Sequence, residues 1–483
     1  MNNFVNMATG LAHRTYTENH GAAFDRTGGG SLLDLFANIG GMRKRTDGDI
    51  VSQWQAARNE NPALADNLIL YTRNIRDGGL GERRIARLLL KQLAYYDTAK
   101  VTRNFDTIVD CGRWDDLFVF IGTPAEADMW KYICNQFKAD MKGAMENKPI
   151  SLLAKWAPSI NTSSQDTRDL AKKVIAKLNV TPRNYRKMLS KLRRYLNVLE
   201  AKISKNEWDS INFEQVPSLA MKRYLSAFGK HCYEAFGAYK SKLVKGEAKV
   251  NAVTLYPYDI VYPIMYNRGG YDSIVSEKQW ESLPNYVDEN FEVVCVADTS
   301  GSMYGQPMAT AVGLSIYFAQ RNKGAYHNIY FNFSSFPSIQ KINDSWTLKQ
   351  CVDTVMRSPW GNSTNLDRTY ELIYHIAEMS GDVPKALVVI SDMEIDQWSN
   401  PNYAISITDK WKKQYAQIGL KAPRLIYWNV DSRHNNMLSQ CTENVAYVSG
   451  SSAGSFKFLQ TLISKTAYEA MEEILTKPEF TWQ

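Results

Sequence analysis

Asp298-Thr299-Ser300-Gly301-Ser302 sets one carboxylate and two hydroxyls on alternate residues of a short turn, and the glycine between the serines lets the backbone bend enough for all three to face one point. Oxygen donors of this kind are hard ligands. They suit Mg²⁺, Ca²⁺ or Mn²⁺ and suit zinc or copper poorly. Asp298, Ser300 and Ser302 are therefore the first candidates for a divalent-cation site. A plainer reading of the same residues is a serine-rich turn in which the acids only cap the helices that follow.

Such donors must be held at the end of something rigid. The run from Phe291 to Ala297 is apolar and β-rich and ends in Asp298; a second, Lys385 to Ser391, ends in Asp392. Arg424 to Val430 and Asn328 to Phe333 are further strand candidates. Helical segments lie between them at Ala309 to Asn322, Leu348 to Arg357 and Leu366 to Met379. Buried strands alternating with helices predict an α/β, doubly wound, mostly parallel sheet. In such sheets ligands bind at the carboxyl ends of the strands, which is where Asp298 and Asp392 stand.

This stretch resembles the von Willebrand factor A (Rossmann-like) domain, whose metal-ion-dependent adhesion site, or MIDAS, reads Asp-x-Ser-x-Ser, then a distant Thr, then a distant Asp. The resemblance implies that Asp298, Ser300, Ser302, Thr364 and Asp392 hold Mg²⁺, or Ca²⁺ or Mn²⁺ in its place. Thr364 lies in Gly361-Asn362-Ser363-Thr364-Asn365, just before a helical segment; Asn362 and Ser363 replace two glycines common in the family, which makes Ser363 a weaker candidate ligand. It also implies an open coordination position for an acidic group, supplied by a protein partner, by the chain itself or by a neighbouring copy in an oligomer.

The first 285 residues read differently, as helix after helix. Asn61-Pro62, Thr123-Pro124-Ala125-Glu126 and Thr181-Pro182 are helix starts, the second a capping box with proline at the first helical position. Tyr185, Leu189, Leu192, Leu196 and Leu199 recur at spacings of three and four, predicting one apolar helix face. Paired helices without strands predict an all-α, HEAT-like helical repeat, although no strict sequence period is present. The predicted division is an N-terminal extension over 1–30, a helical domain over 31–285 and the A-type domain over 290–483.

Charge is divided the same way. The chain of 483 residues has 57 Lys+Arg and 50 Asp+Glu, a net +7. From residue 291 onward there are 16 basic and 18 acidic residues, a net −2, which leaves +9 for residues 1–290. Opposite the apolar stripe Arg183, Lys187, Lys191 and Arg194 make a basic face, flanked by Arg186 and Arg193. Arg73, Arg76, Arg83, Arg84 and Arg87 surround a glycine-rich turn whose backbone N–H groups could also meet phosphate. A face of this sort can follow a phosphate backbone, with Trp114, Trp156 and Tyr185 as candidate stacking surfaces. It can equally be a solvated surface.

Phrases in this half, RNIRDGGLGER over 73–83, GRWDDL over 112–117 and KWAP over 155–158, resemble the Ro (TROVE-type) ribonucleoproteins and a related family of uncharacterised proteins. NYRKMLSKLR over 184–193, Trp208, VPS over 216–218 and PYDI over 257–260 match the uncharacterised family. The resemblance implies a non-catalytic ring or horseshoe that binds single-stranded or small structured RNA, with Arg76, Arg83, Arg84, Arg183, Arg186, Lys187, Lys191 and Arg194 as its contacts. The alternative is a scaffold that grips a partner's carboxylate through the metal without nucleic acid.

Enzymatic readings find little to stand on. There is no GxxxxGK[ST] loop, GxSxG elbow or HExxH, and no histidine near Asp298 or Asp392 in sequence. Six cysteines without a CxxC pair point to a reduced, cytoplasmic protein. The start of the chain lacks a signal-peptide pattern and no run is long and apolar enough for a membrane span.

Overall fold

The computed structural model describes residues 14–20, 22–268, 270–287, 292–333, 337–357, 366–394, 403–438, 441, 444–462 and 465–483. Two compact units emerge, and they do not follow chain order. One gathers Met1–Ile85, Ser218–Leu225 and Val250–Thr481; the other gathers Ala86–Pro217, Ser226–Lys249 and the last two residues.

The first unit is built on a six-stranded sheet. Its strands are β3 (Val293–Asp298), β4 (Ile329–Phe333), β5 (Ile339–Lys341), β6 (Ala386–Ser391), β7 (Arg424–Asn429) and β8 (Val445–Ser449), ordered β5-β4-β3-β6-β7-β8. All neighbours are parallel except β4 and β5. β3 and β6 are buried throughout, as expected of strands covered on both faces. On one side lies the helix Gln306–Arg321, apolar through most of its length, and Gly313 lets the helix Pro257–Met265 come close: a Cβ there would stand 3.1 Å from Pro257. The opposite layer carries Tyr370, Ile373 and Ala377 from Leu366–Ser380 together with Trp411 and Tyr415 from Tyr403–Gln417. β5 and β8 were not anticipated. β5 is a three-residue edge strand and β8 a five-residue run, too short for their periodicity to stand out.

The beginning of the chain belongs to this unit. β1 (Arg14–Tyr16) and β2 (Ala22–Phe24) form an antiparallel pair, and Phe24 exchanges two backbone hydrogen bonds of 2.8 Å with Met437. Phe24 and Ala37 enter the same apolar cluster as the sheet residues. The described part of the 1–30 extension is thus packed on the sheet layers.

Fifteen α-helices occur among the described residues between 31 and 287. Asn61 and Thr181 cap their helices as predicted, accepting from the backbone N–H groups of Leu64 and Asn184. Thr123 does not. Its helix begins three residues later, at Glu126; the Thr123 hydroxyl turns back to the Phe120 carbonyl, and the Glu126 carboxylate accepts from Gly122 N–H instead. The apolar stripe from Tyr185 is also shorter than its spacing implied. The helix Pro182–Tyr195 ends at Leu196, Asn197 takes a left-handed φ of 52°, and Leu199 opens the next helix, Leu199–Ile203. Tyr185, Leu189 and Leu192 remain as its buried face, each leucine contributing about 1.5–3 kcal/mol.

In the second unit the helix Glu126–Met145 buries Met129, Trp130, Ile133 and Phe137, while Phe213, Phe228, Phe236 and Tyr239 form an aromatic cluster. All six cysteines are free thiols, four of them buried. No helix among the described residues is long and apolar enough to cross a membrane.

Candidate cation site and basic helix face

The order of the sheet decides where the acids meet. β3 continues to β4 on one side, whereas β6 lies on the other side of β3 and continues to β7, so the direction of winding reverses between β3 and β6. At such a switch point the loops leave in opposite directions and a crevice opens at the carboxyl ends. Ala297 pairs with Ile390 across these two strands, so the register brings Asp298 and Asp392 to the same end.

Both acids are buried, and Asp298 is only 1 % exposed. Its Oδ1 accepts from Ser300 N–H at 2.9 Å and its Oδ2 from the Ser391 hydroxyl at 2.5 Å. The Ser300 and Ser302 hydroxyls stand 3.1 Å apart, and Ser302 also donates to Asp392. Asp392 accepts from Glu394 N–H at 3.2 Å and from an Arg433 guanidinium nitrogen at 2.6 Å. Burial, and then the neighbouring Asp392 charge, push the Asp298 carboxyl up to about 7. Asp392 is raised too, by burial, against the opposing pull of Arg433.

Two buried acids, the charge of Asp392 adding to the raising of Asp298, stand beside two hydroxyls as a cluster of hard oxygen donors, and among the described residues Arg433 pairs directly with Asp392. A divalent cation would relieve both the burial cost and the mutual repulsion, so these residues fit one. Of the predicted ligands, Asp298, Ser300, Ser302 and Asp392 come together. Thr364, with Ser363, lies outside the described residues.

Three participants escaped sequence reasoning. Ser391 holds Asp298; Arg433, in the loop after β7, holds Asp392; and Glu18, from the segment between β1 and β2, holds Arg433 at 3.1 Å. The carboxyl-end rule applied to Arg424–Asn429 points to the stretch holding Arg433, but no local signal points to Glu18, which is brought in from more than 370 residues away.

The second unit carries the charge. It contains 27 Lys+Arg and 17 Asp+Glu, a net +10, leaving −3 for the first unit. Its helix Pro182–Tyr195 has no acidic residue, and Arg183, Arg186, Lys187, Lys191 and Arg194 are all exposed. Among the described residues none of these five side chains forms an ion pair or hydrogen bond. Arg193 on the same helix has a structural role: it donates to the carbonyls of Ala154 and Ala157 and to the Ser159 hydroxyl, each at 2.8 Å.

The other basic cluster is engaged in folding. Arg84 binds the Arg45 carbonyl at 2.8 Å and pairs with Asp47; Arg87 pairs with Asp115 and Asp116; Arg73 is buried. Arg76 and Arg83 are exposed. The turn's amides are used internally: Arg76 and Asp77 N–H donate to Asn74 Oδ1, Leu80 N–H to Tyr71 and Glu82 N–H to Thr72. The proposed stacking residues are likewise taken. Tyr185 is fully buried with its hydroxyl on the Pro158 carbonyl, Trp114 is buried against Tyr132, and the half-buried Trp156 has the Arg113 guanidinium 4.3 Å from its ring centre.

Two protein-family profiles match the chain, each described as a domain of unknown function: DUF2828 over residues 162–290 and DUF7788 over residues 292–479. The chain is 27 % identical over 509 residues to an uncharacterised protein, L728, of Acanthamoeba polyphaga mimivirus, covering 96 % of this chain and 87 % of that one. The crystal structure of the Deinococcus radiodurans Ro (RSR) protein is similar at a TM-score of 0.49 and 17 % identity, over 90 % of this chain and 99 % of that one.

Proposed function

We propose that this chain is a non-catalytic RNA-binding protein that uses the helix Pro182–Tyr195 as its main contact and holds a divalent cation at the carboxyl ends of β3 and β6. The observation that carries this reading is the acid-free helix with five exposed cations and no partner for any of them among the described residues. Folded proteins normally intersperse surface charges of both signs, and an uncompensated row within a unit of net +10 favours a polyanion. The sequence phrases resembling Ro-type ribonucleoproteins support RNA as that polyanion. With Trp114 and Tyr185 buried, affinity rests on phosphate contacts and falls steeply with salt.

Asp298, Ser300, Ser302 and Asp392, with Thr364, would hold the cation, Mg²⁺ or in its place Ca²⁺ or Mn²⁺. Bound there, it supplies a positive centre for an acidic group. Two carboxylates balance a divalent cation without over-neutralising it, and neutral hydroxyls would complete only part of its shell, which favours a second reading in which a protein partner's Asp or Glu fills a remaining position.

Two measurements separate these readings. Crosslinking and sequencing of nucleic acid co-purifying with the full chain should recover RNA, and changing Arg183, Lys187 and Arg194 to Glu should abolish recovery. Binding indifferent to those changes overturns the RNA reading. EDTA-sensitive capture of a protein partner, lost in Asp298→Ala, would establish the second.

A further inference from the structure

Arg433 holds one carboxylate oxygen of Asp392, a candidate cation ligand. Its guanidinium lies 2.6 Å from Asp392 Oδ2 and 3.1 Å from Glu18 Oε2, with Asp431 at 3.7 Å. This is no swinging surface side chain. The loop that presents it is tied down by Val430 N–H to the Ser391 carbonyl and Ser432 N–H to the Gly41 carbonyl, both at 3.0 Å. Glu18 is equally fixed: its backbone N–H donates to Glu394 Oε2 at 2.7 Å, and its other carboxylate oxygen meets His434 at 2.8 Å.

We infer that Arg433 is a built-in counter-ion that competes with the divalent cation for Asp392, and that Glu18 is the acceptor that keeps the guanidinium when the cation takes its place. The proposal rests on the cation-site reading above and adds what sets the affinity of that site. One carboxylate oxygen cannot accept a guanidinium at hydrogen-bond distance and bind a cation along the same direction. A cation that takes Oδ2 from that side makes Arg433 let go of Asp392, and that cost lowers the affinity. Because Arg433 already shares itself between Asp392 and Glu18, letting go leaves it paired rather than stranded. The segment between β1 and β2 thereby becomes part of the cation site without supplying a ligand.

The test is Mn²⁺ binding to the full chain, followed by the electron paramagnetic resonance of the free ion. Arg433→Gln should bind Mn²⁺ about ten-fold or more tightly than the unaltered protein, since one charge-assisted hydrogen bond no longer has to be broken. Glu18→Gln, which takes away the alternative acceptor, should bind several-fold more weakly. Arg433→Lys distinguishes competition from a simple change of field: it keeps the charge but loses the planar fork that spans both acids, so its affinity should rise toward that of Arg433→Gln. Lysine behaving like arginine, or glutamine giving no gain, overturns the proposal while leaving the cation site intact. Absence of Mn²⁺ binding in all four proteins, with unchanged melting in EDTA, overturns the cation-site reading itself.

Discussion

Replacing Asp298 by Asn should stabilise the cation-free protein at alkaline pH, although it removes a proposed ligand. Burial and Asp392 push the Asp298 carboxyl from its ordinary 3.8 up to about 7. A carboxyl whose folded value lies above its unfolded value binds its proton more tightly when folded. Its contribution is complete below pH 3.8 and is lost as the pH rises through 7. The whole span is about three pH units at about 1.4 kcal/mol each, on the order of 4 kcal/mol. Asparagine has the same size and never ionises. It can still accept from Ser300 N–H, while its amide donates to the Ser391 hydroxyl. Urea denaturation of both proteins in EDTA at pH 6 and pH 8 reads the effect, and taking the difference between them cancels groups that titrate in common. The advantage of Asp298→Asn should widen by on the order of 1 kcal/mol between the two pH values, because the proton held by the folded carboxyl is released across a value near 7. Added Mg²⁺ at a hundred times its Kd should then stabilise only the unaltered protein, by about 2.7 kcal/mol. A gap that does not widen with pH, or a variant less stable than the parent at pH 8 in EDTA, would mean that Asp298 does not carry a raised, buried titration.

Changing Arg183, Lys187 and Arg194 together to Glu should remove three phosphate contacts and flatten the salt dependence of RNA affinity by about two units of slope, read by fluorescence anisotropy across a salt series. Arg193→Ala on the same helix should act on folding: three acceptors, the carbonyls of buried Ala154 and Ala157 and the hydroxyl of half-buried Ser159, lose their donor, a loss of about 2 kcal/mol in chemical denaturation, with RNA affinity at low temperature little changed. Tyr427→Phe removes a fully buried hydroxyl that has no partner among the described residues; thermal melting should show no loss and a gain of up to about 1 kcal/mol.

That Asp298, Ser300, Ser302 and Asp392 would stand together was legible because the pattern is local. A carboxylate and two hydroxyls on alternate residues after a buried strand carry their meaning within five positions, and the second acid is found by the same rule at the end of the next long apolar run. The helix starts at Asn61 and Thr181 were legible for the same reason, since a cap and its amide are three residues apart. At Thr123 the motif was present, but Phe120 and Gly122 offered the two side chains nearer partners. At Leu199 the spacing continued past a left-handed Asn197 that ends the helix.

By itself the amino-acid sequence determined the alternation of helices with buried strands, the oxygen donors and their order, and the excess of positive charge in the helical part. These follow from residue type and short-range periodicity. Tertiary structure decided which of the basic residues have no partner: Arg183 and Arg193 look alike along the chain, yet one faces solvent and the other closes three hydrogen bonds. It also decided that Arg433 and Glu18 stand at Asp392, because a parallel sheet gathers the ends of strands distant in sequence, and a side chain's electrostatic partner is set by distance in space.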